Sequence, residues 1–96
     1  MYEWFGDKHY EGDWKDGKMH GRGRLVYENG DVYDGNFHKG KKFGKGIFKW
    51  AKDGNYYDGE WNNNLPHGIG YIGREGVSKR KAMFEDGRNV AWIDLD

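Results

Sequence analysis

Short runs of alternating apolar and polar residues, six to eight residues long, follow one another along the chain. Such alternation indicates half-buried β-strands, because successive side chains of a strand point to opposite faces. No window shows the periodicity of an amphipathic helix. Turn signals, several of them Asn-Gly or Asp-Gly pairs suited to tight hairpins, separate the runs. They are Asp16-Gly17, Asn29-Gly30, Lys39-Gly40, Asp53-Gly54, Asn63-Asn64, Glu75-Gly76 and Asp86-Gly87. The pattern predicts an all-β fold, a single-layer antiparallel meander of repeated β-hairpins with about eight strands.

The strand pattern repeats with a period of 23 or 24 residues. A Tyr-x-Gly-x-aromatic segment begins at Tyr10, Tyr33 and Tyr57, and a Gly-x-Gly segment starts eleven residues after each Tyr. We therefore expect one domain made of a partial repeat (2–9), three full repeats (10–32, 33–56 and 57–79) and a terminal half-repeat (80–93). Because the chain begins within a repeat, the sequence leaves open whether it belongs to a longer array.

The glycines of the repeat are predicted to be structural, since glycine weakens a strand unless its missing side chain makes room for a neighbour. A two-residue turn at Asp16-Gly17 would place Tyr10 opposite Gly23. The same register gives the equivalent pairs Tyr33–Gly46 and Tyr57–Gly70. Rings could then lie over the glycine backbone. We expect two ring ladders, Tyr10/Tyr33/Tyr57 and Trp14/Phe37/Trp61/Phe84. The structural glycines are Gly12, Gly21, Gly23, Gly35, Gly44, Gly46, Gly59, Gly68 and Gly70.

The ring-bearing face is the predicted binding surface. The sequence offers no helix or second sheet to cover it, so part of this aromatic surface is expected to stay exposed. Exposed aromatic patches usually mark interaction sites. We predict a groove that captures a helical or extended segment of a partner protein, although the rings could instead serve only as the core. The predicted groove residues are Tyr10, Trp14, Tyr27, Tyr33, Phe37, Trp50, Tyr57 and Trp61.

A lysine-rich stretch suggests an alternative function. Six lysines and no acidic residue lie between His38 and Lys52, and such a run would attract an anionic membrane surface. Strand alternation divides the run between both faces, and Lys45 is placed to pair with Asp34. A peripheral membrane module that binds anionic phospholipids is therefore the alternative to protein binding. Its candidate residues are Lys39, Lys41, Lys42, Lys45 and Lys49.

Composition argues against most other functions. The 16 basic and 16 acidic residues cancel, and the lysines do not follow the ring face, so no nucleic-acid partner is expected. The chain has no Cys or Thr and a single Ser. Ser78 is therefore the one candidate for a Ser, Thr or Cys nucleophile in covalent catalysis. We therefore expect neither an enzyme nor a bound cofactor.

The histidines do not indicate a metal site. His20 and His67 occupy equivalent repeat positions, and the register places them opposite Asp13 and Glu60 without a third ligand nearby. We expect no metal. The lack of cysteine fits a reducing compartment, so a cytoplasmic protein is expected, with association with membranes or the cytoskeleton left open. Free edge strands also leave dimerisation open.

The repeat frame closely resembles the MORN repeat (membrane occupation and recognition nexus). The resemblance is carried by Tyr-x-Gly-x-Trp/Phe followed by Gly-x-Gly, in three copies in register over residues 2–93. Ala82 and Phe84 stand where the family more usually has Gly and Trp. The resemblance implies single-layer hairpin arrays curled into an elongated groove lined with aromatic ladders. It also implies a non-catalytic module that binds partner proteins or acidic phospholipids.

Overall fold

Nine β-strands run in sequence order through the described part of the chain. The computed structural model describes residues 2–5, 8–74 and 76–93. Each strand pairs antiparallel with the next, so the strand order in the sheet is the order in the sequence. The strands are β1 (Tyr2–Phe5), β2 (Lys8–Lys15), β3 (Lys18–Val26), β4 (Val32–His38), β5 (Lys41–Lys49), β6 (Asn55–Asn62), β7 (Leu65–Arg74), β8 (Val77–Glu85) and β9 (Arg88–Trp92).

The strands form one elongated sheet with extents of 44 × 24 × 17 Å. The described residues contain no helix. The predicted all-β meander is thus confirmed, with nine strands instead of about eight. The predicted turns lie between the strands, except that Glu75 falls outside the described residues, as do residues 6 and 7 of the first partial repeat. The turn residues Asp16, Lys39, Asn63 and Asp86 have positive φ angles of 48–52°, as tight hairpin turns require.

A row of glycines crosses the sheet at right angles to the strands. Each member lies opposite the next one on the neighbouring strand: Gly12, Gly23, Gly35, Gly46, Gly59, Gly70 and finally Ala82. This register differs from the one expected from the turns. Tyr10 pairs with Leu25 rather than with Gly23. The two equivalent predictions are also wrong, since Tyr33 pairs with Phe48 and Tyr57 with Ile72.

A β-bulge in each full hairpin explains the different register. Pairing passes from Trp14–Met19 to Gly12–Gly23, so β3 contributes two more residues than β2 across the bulge. Gly21, which lies in this bulge, has a φ of +74°, in the left-handed region that favours glycine. The same shift recurs in the next two full hairpins, where Gly44 and Gly68 have φ angles of +74° and +79°. The first glycine of each Gly-x-Gly segment therefore bends the strand, and the second lies in the glycine row.

The second glycine makes room for a tyrosine ring. The Tyr10 ring extends diagonally over Gly23, where an added Cβ would overlap it. Its hydroxyl donates a hydrogen bond of 2.7 Å to the carbonyl of Asp13, where the bulge interrupts the ladder. Tyr33 lies over Gly46, and Tyr57 over Gly70, in the same way. Their hydroxyls donate to the carbonyls of Asn36 and Glu60, each at 2.8 Å. The rings thus reach the glycines from a diagonal position.

Among the side chains that the structure describes, seven rings interleave in a single row, called the ring row below. In spatial order the row is Trp14, Tyr10, Phe37, Tyr33, Trp61, Tyr57 and Phe84. Neighbouring centroids are 4.9–5.4 Å apart and the ring planes meet at 77–87°, which is the edge-to-face arrangement that aromatic pairs favour. The expectation of two separate ladders is therefore wrong. The diagonal reach of the tyrosines inserts each of them between rings of adjacent repeats.

Backbone hydrogen bonds between turns link consecutive repeats. Gly40 N–H donates to the Met19 carbonyl at 2.9 Å, and Gly87 N–H donates to the Pro66 carbonyl at 2.9 Å. At the equivalent place between them, Asn64 N–H donates to the Lys42 carbonyl at 3.1 Å. Because these bonds recur at the same position, each hairpin is held at the same offset from the one before it.

Candidate functional site

Six rings of the ring row, all except Trp14, form most of the hydrophobic core of the sheet, and Leu25 and Ala82 complete it. Tyr10 and Tyr33 have no exposed surface, Tyr57 is 1% exposed, and Phe37 and Trp61 are 3% and 5% exposed. Of the predicted groove residues, Trp14, Tyr27 and Trp50 keep exposed surface, as expected, whereas edge-to-face packing closes the gaps between the others. The indole Nε1–H of Trp61 also donates to the Gly46 carbonyl at 3.0 Å. Five of the eight predicted groove residues are thus buried, and they can only support what lies above them.

The accessible part of the same face, called the ring face below, is made of half-buried apolar residues. They pack against the buried core, and they are Trp14 at the end of the ring row, Met19, Tyr27, Phe48 and Ile72. Trp14 and Tyr27 are predicted groove residues, whereas Phe48 was missed. Trp50, the remaining predicted residue, follows β5 and lies at the end of this surface, with its ring 4.8 Å from that of Phe48. Its exposed fraction is 38%.

Lys42 lies on the ring face within a cage of four rings. Its Nζ is 5.4 Å from the ring centroid of Tyr27, 5.6 Å from Tyr33, 5.5 Å from Phe48 and 5.8 Å from Trp61. All four distances are within the range of a cation–π interaction. The rings come from the segment after β3 and from β4, β5 and β6, so the cage exists only in the folded sheet. We name this arrangement the Lys42 cage.

The backbone of Lys42 is fixed at both polar groups. Its N–H donates to Asn64 Oδ1 at 2.9 Å, and its carbonyl accepts from Asn64 N–H at 3.1 Å. Burial lowers the pKa of the Lys42 ammonium below its ordinary value, and the positive charge of Lys8 lowers it further. The Nζ of Lys8 lies 5.4 Å from the ring of Tyr27. Tyr27 therefore has ammonium groups near it from two strands.

Burial also raises the pKa of the tyrosines in and beside the ring row. The pKa of Tyr57 is raised to about 12, chiefly because burial disfavours the phenolate. Burial is the largest cause for Tyr33, Tyr10 and Tyr27 as well, and all three have raised pKa values. The nearby carboxylate of Asp31 adds to the effect at Tyr27. These phenols therefore remain protonated hydrogen-bond donors well above neutral pH.

The opposite side of the sheet, called the outer face, carries most of the charges. Arg22 forms an ion pair with Asp34 at 3.0 Å, and both side chains are well exposed. Such surface pairs contribute little stability. Ile47, and not Lys45, lies opposite Asp34, which corrects the pairing expected from the sequence. Lys45 lies opposite Glu60 on the other neighbouring strand. Trp50 borders a shallow depression of about 470 Å³ on this face, together with Arg24, Val32, Asp34, Ile47 and Lys49.

The five candidate lipid-binding lysines do not lie together. Three of them lie on the outer face of β5: Lys41, Lys45 and Lys49. Lys42 belongs to the cage on the other side of the sheet. Lys39 lies in the turn before β5, with a φ of +51°. Phe43 and Ile47, each 45% exposed, alternate with the three outer lysines.

His20 lies beside His38, with ring centroids 5.2 Å apart, and its Nδ1 accepts a long hydrogen bond of 3.5 Å from Lys39 N–H. Within the part of the chain that the structure describes, no group of three His, Cys, Asp or Glu side chains is placed to hold a metal ion. The same residues include no helix that is long and apolar enough to cross a membrane.

The Lys42 cage could not be recognised from spacing alone. The sequence presents Lys42 as one lysine of a basic run, although it also contains one distinguishing signal. The equivalent position is Met19 in the preceding repeat and Pro66 in the following one, so a cation occurs at this place only in the middle repeat. That difference marks Lys42 as a departure from an otherwise apolar repeat position.

Known sequences with the same repeat identify the family. The sequence model of the MORN repeat matches residues 10–32, 33–54 and 57–72. Alsin of Rattus norvegicus is 32% identical over 84 residues, which are 83% of this chain and 5% of alsin. Human alsin is 32% identical over 68 residues, or 67% of this chain and 4% of alsin. The inactive protein tyrosine kinase pTKL of Plasmodium berghei is 51% identical over 41 residues, 42% of this chain and 3% of that protein.

The chain spans about one-twentieth of the length of rat alsin, so only the repeat region is shared. MORN repeats are non-enzymatic modules that generally mediate protein or membrane interactions, and proteins with them are often associated with membranes or the cytoskeleton. Three successive matches cover most of the hairpins from β2 to β7. With its repeated hairpins, glycine row and matched segments, the chain belongs to the MORN-repeat family.

Proposed function

We propose that this chain is a non-catalytic protein-binding module whose ring face holds a helical or extended segment of a partner protein. The observation that carries the proposal is the line of half-buried apolar side chains along that face, from Trp14 and Met19 through Tyr27 and Phe48 to Ile72. The described residues form one sheet and provide no second layer over this line. Apolar surface of this kind, supported by a rigid core, suits peptide recognition.

The packing of the sheet supports a preformed site. The ring row and the hydrogen bonds between turns fix the surface before any partner arrives, so little ordering is required on binding. The five buried groove residues would contribute by holding the exposed ones in place. The proposal places direct contact at Trp14, Tyr27 and Phe48, with Trp50 at the end of the surface.

Two phenylalanines of β5 provide a matched test. Phe48 lies on the ring face outside the ring row, and Phe43 lies on the outer face of the same strand. Immobilised wild-type protein, Phe48→Ala and Phe43→Ala would be compared by affinity capture and quantitative mass spectrometry. We expect the same proteins with wild type and Phe43→Ala, and at least tenfold less of them with Phe48→Ala, since apolar hot-spot truncation typically costs ~1–2 kcal/mol or more. Equal recovery with all three proteins would exclude the ring face.

A membrane-binding function is the second candidate, and the outer face of β5 favours it. Lys41, Lys45 and Lys49 alternate there with exposed Phe43 and Ile47, which places cationic and apolar groups on one surface. Sedimentation with anionic vesicles at two salt concentrations tests this function. Binding that weakens with salt, and that is lost when the three lysines are replaced by Gln, supports it. Binding that ignores salt or anionic lipid content contradicts it.

A further inference from the structure

The Lys42 cage is the most specific arrangement on the ring face. Its four rings surround an ammonium group at nearly equal distances, between 5.4 and 5.8 Å from Nζ to the ring centroids. Aromatic cages of this kind recognise alkylated ammonium groups in other proteins. Tyr33 and Trp61 are core residues that cannot move easily, whereas Tyr27 and Phe48 are half-buried at the rim. The cage therefore has a fixed floor and an accessible side.

We propose that this cage binds the methylated ammonium group of a lysine in a partner protein, and that Lys42 occupies the cage until the partner displaces it. The inference rests on the protein-binding function proposed above. Its ligand class comes from the present occupant, since a lysine side chain reaching in from an extended strand already fills the site. The matching external ligand is a lysine side chain on an extended or helical segment, rather than a lipid headgroup.

The environment of Lys42 disfavours an unmethylated ammonium. Such a group has three N–H donors, and aromatic rings provide no strong acceptor for them. Within the described part of the chain, Lys42 forms no ion pair. A trimethylated lysine keeps the charge that the rings attract but has no N–H donor left to satisfy, so it loses less on leaving water. It should therefore displace Lys42 from the rings.

The anchoring of the Lys42 backbone lets the side chain leave without unfolding the sheet. Both backbone polar groups of Lys42 are bound to Asn64, so the strand stays in place when the flexible side chain rotates outward. The equivalent residues Met19 and Pro66 have no charge, so the proposal is confined to the middle repeat. The cage thus gives one defined anchor point on the ring face.

The test uses a small probe on the intact chain. The acetylated amide of trimethyllysine is titrated into wild type, Lys42→Ala and Lys41→Ala by NMR and calorimetry. Lys41→Ala removes the same charge from the adjacent, outward-facing position. We expect the probe to shift the Trp61 and Tyr27 signals and to bind Lys42→Ala about tenfold more tightly than wild type, because no competing cation remains. Lys41→Ala should bind like wild type.

One altered probe and two further variants test whether the probe binds through its charge and inside the cage. The neutral isostere, with carbon in place of the ammonium nitrogen, should bind at least about tenfold more weakly if the charge matters. Adding Tyr27→Leu to Lys42→Ala should abolish binding, since it removes one wall of the cage. Lys42→Met, which introduces the residue of the preceding repeat, should keep the cage filled and bind the probe no better than wild type. If Lys42→Ala does not fold, saturating wild type with the probe should still shift the Lys42 side-chain signals.

The outcomes separate this inference from the protein-binding proposal. If neither wild type nor Lys42→Ala binds the probe, or if the isostere binds equally well, the cage inference is wrong, whatever the capture experiment shows. Binding to phosphatidylcholine vesicles without binding to trimethyllysine would overturn the choice of a lysine ligand. Probe binding without any effect of Phe48→Ala on protein capture would retain the cage and reject the wider ring-face function.

Discussion

The phenol ring of Tyr33 lies over Gly46, the glycine diagonally opposite on the neighbouring strand, so closely that a Cβ at this position would overlap it. The same relationship joins Tyr10 to Gly23 and Tyr57 to Gly70. The absent side chain is therefore as much a part of the core as the ring that replaces it. This relationship determines how much folding stability should be lost when a core glycine or ring is substituted.

Gly46→Ala should be among the most damaging small substitutions in the chain. The added methyl group would have to displace the ring of Tyr33, which contacts Phe37 and Trp61, and overpacking a core costs up to about 3 kcal/mol. Gly17→Ala is the control, because its surroundings are open and only its φ of +75° is unfavourable, at about 1–2 kcal/mol. Urea unfolding of both variants measures the difference. A smaller loss for Gly46→Ala than for Gly17→Ala would contradict the close contact.

Tyr33→Phe should destabilise the fold although it keeps the ring. It removes the 2.8 Å hydrogen bond from a buried phenol to the partly buried Asn36 carbonyl in the bulge, and leaving such an acceptor without its donor costs about 1–3 kcal/mol. Tyr71→Phe is the matched control, because the contact of that ring with Lys79 does not need the hydroxyl. The two free energies of unfolding should differ by at least about 1 kcal/mol. Equal values would show that the hydroxyl contributes nothing.

Phe37→Ala should disrupt the sheet, whereas Phe43→Ala should not. Phe37 contacts Tyr10 and Tyr33 within the ring row, and deleting a buried phenylalanine costs about 3–5 kcal/mol. Phe43 is 45% exposed on the outer face, so its removal should cost within about 0.5 kcal/mol. Thermal melts followed by near-ultraviolet circular dichroism would report both stability and ring packing. Similar melting temperatures would contradict the assignment of the ring row as the core.

Alkaline pH should weaken the fold through Tyr57. Its pKa is raised from 10.0 to about 12, so the folded state holds the phenolic proton after the unfolded chain has lost it. The stabilisation is complete below pH 10 and is lost as the pH rises towards about 12. The lowered pKa of Lys42 has the opposite effect, because stability rises with pH until the unfolded lysine also loses its proton. Comparing wild type with Tyr57→Phe cancels the Lys42 contribution.

The difference in unfolding free energy between these two proteins should therefore shrink across that alkaline range. Urea titrations at several pH values measure it, and tyrosinate absorbance of the folded protein gives the ionisation of Tyr57 directly. A difference that stays constant from pH 10 to pH 12 would mean that Tyr57 ionises normally.

Local features of the fold could be predicted from the sequence, and the register could not. Turn dipeptides such as Asp16-Gly17 and the alternation around them act over a few residues, so strands and hairpins followed directly. The bulge depends on the left-handed φ of Gly21, and the sequence does not distinguish this glycine from Gly23 two positions later. An undetected bulge displaces each later pair by two residues, which is why Tyr10 was assigned the wrong partner.

The sequence predicts which face of the sheet carries the candidate site, but it does not predict the contacts on that face. Alternation predicts a ring-bearing face and divides the lysine run between both faces, but it gives no measure of how completely rings from adjacent repeats close over one another. The burial of Phe37 and the cage around Lys42 both depend on diagonal contacts between strands of different hairpins. Those contacts follow from the shifted register between neighbouring strands, which no single repeat contains.

The hydrogen bonds from Gly40, Asn64 and Gly87 to the preceding hairpins have a consequence for any ligand that crosses the strands. Two interstrand spacings of about 4.8 Å separate equivalent positions, which makes the period of the surface about 9.6 Å. A polyproline II segment advances about 9.3 Å in each three-residue turn. A partner in that conformation would therefore present every third side chain to the same position of successive repeats, and its anchoring residues should recur with that spacing.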